Sequence, residues 1–452
     1  MAQKDRSNSN NGGSPNRATT PVEELLLAAL ERGDDSFETG RYLVTFKEDA
    51  GEAGLQSLKD QGMRVADARD FSDPAAGPES VANADADAIL FPELGVALLG
   101  GQAAQERSMN TFANIAADSP IAIIEPEYFV FAEQMYDELV QNGAATTSNE
   151  YLRGFLHATE TISKDLLYYN GNGHSQKDID EEVLVLGATW GLNACKVPPS
   201  LRSGLGIKVA VLDTGMDLGH PDFVGRPIVS STFVGQPVQD LHSHGTHCIG
   251  TACGPKAPAG TTPRYGIGHR SSIYVGKVLS NSGGSVGGSV LAGMNWAIAN
   301  RCAVISMSLG GPGPVQAAFT AAGQAALNNG CLIIAAAGNG SGAPTGYPAN
   351  SPTIMSVASV DSNLAPSGFS SRGKVDIAAP GGNVFSSVPR PTRYGTKSGT
   401  SMATPHVAGC AALWAETSPN LRGVALWRKL IATAKPLPYP ASQVGAGLVQ
   451  AP

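Results

Sequence analysis

One stretch, Gly399-Thr400-Ser401-Met402-Ala403-Thr404-Pro405-His406-Val407-Ala408-Gly409, limits the folds open to this chain more than any other. Apolar residues recur after Ser401 at helical spacing (Met402, Val407, Cys410, Leu413, Trp414), which predicts a buried helix with Ser401 in its first turn. The unpaired N–H groups and positive dipole end of such a turn favour negative charge beside the serine oxygen. A lone serine at that place is ordinarily a helix cap. Its chemistry therefore depends on partners elsewhere in the chain.

A serine hydroxyl becomes a nucleophile when a base takes its proton and an anion holds that base in the right tautomer. Upstream, Ile207-Lys208-Val209-Ala210-Val211-Leu212 alternates and is β-rich, predicting a buried strand that ends in Asp213-Thr214-Gly215. A carboxylate there lies at the carboxyl end of a strand, the edge where open α/β sheets carry their sites. His242-Ser243-His244-Gly245-Thr246-His247-Cys248-Ile249-Gly250 leads a histidine into a second predicted helix start. A further apolar strand, Leu332 to Ala337, ends in Gly338-Asn339. The chain order is Asp213, His244, Asn339, Ser401.

These blocks resemble those of the subtilisin-type serine peptidases (subtilases), and the similarity runs from about Thr189 to Val449. The resemblance implies an α/β fold: a three-layer peptidase core with a mainly parallel sheet, preceded by a small α+β pro-domain. It makes Ser401 the nucleophile, His244 the general acid and base, Asp213 the carboxylate orienting His244, and Asn339 the side-chain donor to the oxyanion. Losing such a donor costs roughly 10²–10³ in turnover in subtilisin itself. Val304 to Gly311, a strand running into a glycine pair, resembles the segment that pairs with an extended substrate, with Ser308, Leu309 and Gly310 in contact. Gly338-Asn339-Gly340 and Gly346-Tyr347-Pro348 resemble the rim and floor of the pocket for the residue before the cut, Gly338 and Gly346 touching substrate. Gly340 brings no charge and Gly346 leaves depth, so broad specificity favouring large apolar side chains is expected.

Four segments follow from this reading. Residues 1–40 form a polar tail, expected to be disordered, and a short helix from Val22 to Leu30. Residues 41–132 form the inhibitor-like pro-domain, with strands at Arg41–Phe46, Met63–Ala66, Ala88–Phe91, Gly95–Leu99 and Ile121–Phe131 and helices at Gly51–Gln61 and Ala103–Ala117. Residues 133–188 are an acidic insert where family members have a short connection, so the maturation boundary is open between 132 and 189. Residues 189–452 are the catalytic domain. No extra domain is expected beyond it.

Charge divides along the same line. Residues 1–190 hold 32 acidic and 13 basic side chains, net −19, and residues 191–452 hold 7 and 18, net +11. Opposite charges favour docking of the N-terminal unit in cis. The basic half has no Lys/Arg stripe interleaved with aromatics, which argues against nucleic acid. No run of eighteen apolar residues and no charged-then-apolar leader stand in the sequence, so neither membrane insertion nor ordinary secretion is expected, and the compartment stays open. A monomer acting on polypeptides is the expectation. The turn Gly219-His220-Pro221-Asp222-Phe223 matches one whose aspartate helps bind structural calcium in some subtilases, but Gly254 to Arg270 lacks Asp, Glu and Asn, so the usual loop does not support that ion and a weaker site built from backbone carbonyls is the calcium reading left open. No cofactor is required by the chemistry. Six cysteines (Cys195, Cys248, Cys253, Cys302, Cys331, Cys410) fall in the catalytic part; the even count invites disulfides, but Cys302, Cys331 and Cys410 lie inside apolar segments, which favours free buried thiols and leaves pairing open. Two other functions remain: a dedicated intracellular processing peptidase, or a silent binding protein permanently blocked by its own N-terminal unit. A zinc site of His242, His244, His247 and Cys248 is the metal alternative.

Overall fold

The computed structural model describes residues 22–32, 37–71, 86–106, 118–132 and 187–452. The expected tail up to Pro21, the continuation of the Ala103–Ala117 helix past Glu106 and the insert up to residue 186 lie outside the described residues. Among the described residues no helix is long and apolar enough to cross a membrane.

The N-terminal unit is an α+β sandwich. Strands β1 (Glu38–Phe46), β2 (Val65–Asp67), β3 (Ala88–Phe91), β4 (Val96–Leu99) and β5 (Ile121–Ala132) run in spatial order β2-β3-β4-β1-β5. Only the β2–β3 pair is parallel. Val44, Phe46, Leu58, Ala97 and Leu99 close its small core under the helix Gly51–Asp60. The first strand starts at Glu38, three residues before the alternating run read from sequence, because Thr39 and Arg41 point their polar groups inward onto Glu127.

The larger half holds a seven-stranded, wholly parallel sheet: β6 (Lys208–Asp213), β7 (Ile228–Thr232), β8 (Ser272–Lys277), β10 (Val304–Met307), β12 (Leu332–Ala336), β13 (Met355–Val360) and β14 (Ile377–Pro380), in the order β14-β13-β12-β10-β6-β8-β7. Parallel sheets need both faces covered, and side chains alternate between two cores. Val209 and Val211 face the helices His244–Cys253, Thr400–Thr417 and Gly423–Thr433, while Ala210 and Leu212 face Gly287–Ala299 and Ala317–Asn328. This is the three-layer α/β architecture that the resemblance implies. A hairpin, β15 (Val384–Ser387) and β16 (Tyr394–Lys397), packs over the His244 helix.

One strand belongs to both halves. Beyond its own sheet, β5 pairs antiparallel with β9 (Gly284–Val286) through Phe129–Phe131 and with β11 (Leu309–Gly310) through Phe131–Ala132. Glu125 and Glu127 secure it from below. Glu125 accepts the Ala317 and Ala318 N–H groups at 3.0 and 2.7 Å, at the positive end of their helix. Glu127, fully buried, takes Arg41 on both oxygens at 2.6 and 2.8 Å, Thr39 Oγ1 at 2.6 Å and the Gly288 N–H at 2.7 Å. Removing one partner of a buried pair strands the other charge, so Arg41→Ala should destabilise the chain by about 3–5 kcal/mol. Thermal unfolding of that variant in a Ser401→Ala background is the check; an unchanged midpoint would discount the pair.

Candidate active site

Three strand ends and two helix starts meet at one edge of the parallel sheet. β6 ends at Asp213, whose Oδ1 accepts the Thr214 N–H at 2.7 Å and lies 2.7 Å from His244 Nδ1. His244 opens its helix, entered through Ser243 in the left-handed conformation at φ 79°. The 2.7 Å contact assigns the Nδ1 proton to the Asp213 side, which leaves Nε2 as the proton-accepting nitrogen. That Nε2 is buried and has no hydrogen-bond partner, and neither does Asp213 Oδ2. Burial alone raises the Asp213 pKa, but the charge and hydrogen bond of His244, together with the Thr214 N–H, hold the carboxyl below its ordinary value.

Ser401 is the second residue of the helix Thr400–Thr417, entered through Gly399 at φ 152°. Its hydroxyl donates to the Ser308 carbonyl at 3.2 Å, and Ser308 Oγ returns a bond to the Ser401 carbonyl at 2.7 Å. That carbonyl is free for Ser308 because of the residue four positions on. Pro405 has no N–H, so the usual helical bond to Ser401 cannot form. Cys248 Sγ also reaches the carbonyl at 3.6 Å while lying 3.9 Å from His244 Nδ1, so one thiol touches both the serine and histidine residues. Burial pushes this thiol well above its ordinary pKa, and the Asp213 carboxylate adds to that. It therefore stays protonated and inert.

Asn339 follows β12. Its Oδ1 accepts both the Thr400 N–H and Thr400 Oγ1 at 2.9 Å, which fixes the amide with its NH₂ end beside Gly399. Gly338, Asn339, Gly340, Gly346 and Gly310 line one pocket, together with Ala343. Its wall bears no charged side chain among the described residues. Gly346 has a reason beyond the depth read in the sequence: a Cβ there would meet the Gly311 carbonyl oxygen at 2.3 Å, where the Gly311 N–H pairs with Tyr347 O at 2.9 Å. The glycine lets two pocket walls hydrogen-bond. Leu309 and Gly310 are β11, already paired with Phe131 and Ala132 of β5, so the segment expected to bind an extended chain holds one.

The other edge of that groove escaped the sequence reading. β9 faces β11 across β5, and the Ala132 N–H donates to Gly283 O at 2.8 Å. The Gly283-Gly284 pair in a Ser/Asn-rich run was the available signal, and it looks like any turn. Tyr347 adds a third hold, its hydroxyl donating to Phe129 O at 2.7 Å. The zinc alternative does not assemble: His247 Nε2 is spent on Val384 O at 2.9 Å, and burial drives the His247 pKa well below its ordinary value. Among the described residues the group closest to a metal set is Asp213, His244 and Cys248, which is the site itself. All six cysteines are buried free thiols. At the turn after β6, Asp222 accepts Tyr265 OH at 2.6 Å and Tyr394 OH at 3.0 Å, and Arg264 donates to Gly266 O and Ile267 O at 3.1 and 3.3 Å.

Comparison with known proteins agrees with this arrangement. The subtilase family model matches residues 204–447, more than half of the chain and the whole of the sheet edge just described. The chain is 39% identical to subtilisin E of Bacillus subtilis (strain 168) over 306 residues, 65% of this chain and 75% of that one. It is 34% identical to M-protease of Shouchella clausii (strain KSM-K16) over 354 residues, 77% and 88% of the two chains, a span too long to lie within residues 204–447 alone. An alkaline protease of Alkalihalobacillus alcalophilus is 37% identical over 282 residues, 61% and 72%. A parallel sheet that gathers a carboxylate, a histidine and a helix-borne serine at its carboxyl edge, in a chain this similar to subtilisins, belongs to the subtilase family of serine endopeptidases.

Proposed function

We propose that this endopeptidase is made as a self-inhibited zymogen and works through Asp213, His244 and Ser401. The observation that carries the reading is the Asp213–His244 contact of 2.7 Å with His244 Nε2 left unpartnered and buried. On substrate binding the Ser401 hydroxyl swings from the Ser308 carbonyl to that nitrogen. Ser401 Oγ attacks the scissile carbonyl as His244 takes its proton, and the charged imidazole is stabilised by Asp213. The developing oxyanion is met by Asn339 Nδ2 and the Ser401 N–H. His244 then protonates the leaving amine, and water repeats the sequence on the acyl-enzyme. No cofactor takes part.

Residues 41–132 act as the inhibitory pro-domain, their last residues occupying the groove between β9 and β11 as a substrate chain would. The uncharged glycine- and alanine-lined pocket supports a preference for large apolar residues before the cut. The enzyme works as a monomer on polypeptides. The turn at Asp222 carries no calcium. Its carboxylate is already shared by two phenols, and a guanidinium occupies the carbonyls of the neighbouring loop.

Intact mass over time separates this reading from a permanently blocked binding protein. Wild type should split into two fragments and label with a fluorophosphonate, and Ser401→Ala should do neither; a wild type that stays whole and unlabelled would favour the silent protein. Asn339→Ala should lower kcat by roughly 10²–10³ with KM little changed. A rise in KM with kcat unchanged would remove Asn339 from the oxyanion. Trypsin nicking of the 254–270 loop in Ser401→Ala should be the same in calcium and in EDTA, and faster in Tyr265→Phe; protection by calcium would restore the ion to the turn.

A further inference from the structure

The helix Val22–Arg32 precedes the inhibitor-like unit, and its role was not legible in the sequence. It packs on the outward face of β5. An extended strand shows alternate side chains to opposite sides. Val130 and Ala132 enter the core of the catalytic half, so Phe129 and Phe131 point the other way, toward what would be water. Both are nonetheless buried, at 0% and 2% exposure, because Val22, Leu25, Leu26 and Ala29 cover them. The same apolar cluster includes Val286 of β9, a residue of the catalytic half, so the helix bridges the strand and one wall of the groove.

The helix is also tied to the start of β1, and the residue before β1 bonds β5 in turn. Arg32 Nη2 donates to Glu38 O at 2.6 Å, and the Phe129 N–H donates to Phe37 O at 2.9 Å. The Phe37 ring meets Phe131 edge-on at 6.1 Å. β5 in the groove is thus held on four sides: β9 and β11 at its edges, the core beneath and this helix above.

We propose that the Val22–Arg32 helix is a clamp that sets how long β5 stays in the substrate groove. This rests on the pro-domain reading above, because only an occupied groove makes the lifetime of the strand a matter of activity. With the clamp loosened, Phe129 and Phe131 gain access to water, the strand leaves more often, and the groove opens to other polypeptides.

Two adjacent residues of the helix supply the test. Leu26 is 2% exposed within the cluster and Leu27 is 54% exposed. In the full-length Ser401→Ala chain, hydrogen exchange of the Val130 and Ala132 amides should quicken about tenfold or more in Leu26→Asp, where a charge enters the apolar cluster. It should not change in Leu27→Asp, and the β12 amides should exchange alike in all three, which controls for folding. Equal exchange of Val130 and Ala132 in the two variants would overturn the clamp, as would general loss of protection that includes β12. The pro-domain reading is tested separately with Ser401 intact: Leu26→Asp should cleave a small peptide substrate sooner than wild type. Faster exchange without earlier cleavage would leave the clamp standing and remove the inhibitory role of β5.

Discussion

The helix Thr400–Thr417 has almost no side facing water, and the rest of the catalytic half is arranged to cover it. From Thr400 through Leu413 every residue is buried. Such a helix is stable only inside a layered structure, so the parallel sheet packs on one flank, the His244 helix on another and Gly423–Thr433 on a third. Burial also makes its one internal defect consequential. The carbonyl left over by Pro405 cannot turn to solvent and must find a donor, and it finds Ser308 and Cys248. Ser401, the segment leading into β11 and the His244 helix are joined through one oxygen that ordinary helix geometry would have consumed.

What was legible in the sequence was what depends on short-range pattern. The apolar runs ending in Asp213 and in Gly338-Asn339 give strands whose polar ends can only meet at the sheet's carboxyl edge, and the glycine- and serine-led helix starts give His244 and Ser401. What was not legible depends on contacts across long separations. Thr400 holding the Asn339 amide, Ser308 exchanging hydrogen bonds with Ser401, and Gly346 making room for Gly311 leave no local signature. The same holds at β9, where Gly283-Gly284 reads as a loop until β5 lies beside it. The early start of β1 leaves no apolar signal because Glu38 and Thr39 are polar, and the burial of Thr39 makes sense only once Glu127 is opposite.

β5 is where the two halves become one object. Its first part completes the N-terminal sheet, its last residues complete a second small sheet with β9 and β11, and its two glutamates sit at the N-terminal ends of two helices of the larger half. Glu127 spans the boundary, binding Arg41 on one side and the Gly288 N–H on the other. Opposite net charges in the two halves favour their encounter, but these buried, directional contacts fix the register.

The strand order of the parallel sheet also imposes a timetable on a chain growing from its N-terminus. β6 sits between β8 and β10, so its second edge stays bare until about a hundred further residues have been made. The sheet then extends through β12 and β13 to β14, and the Ser401 helix, which needs those strands as its floor, is translated after all of them. β5 has by then long left the ribosome. Ser401, the proposed nucleophile, is therefore the last of the candidate site residues to be synthesised, and the groove beside it can be filled before the site is complete.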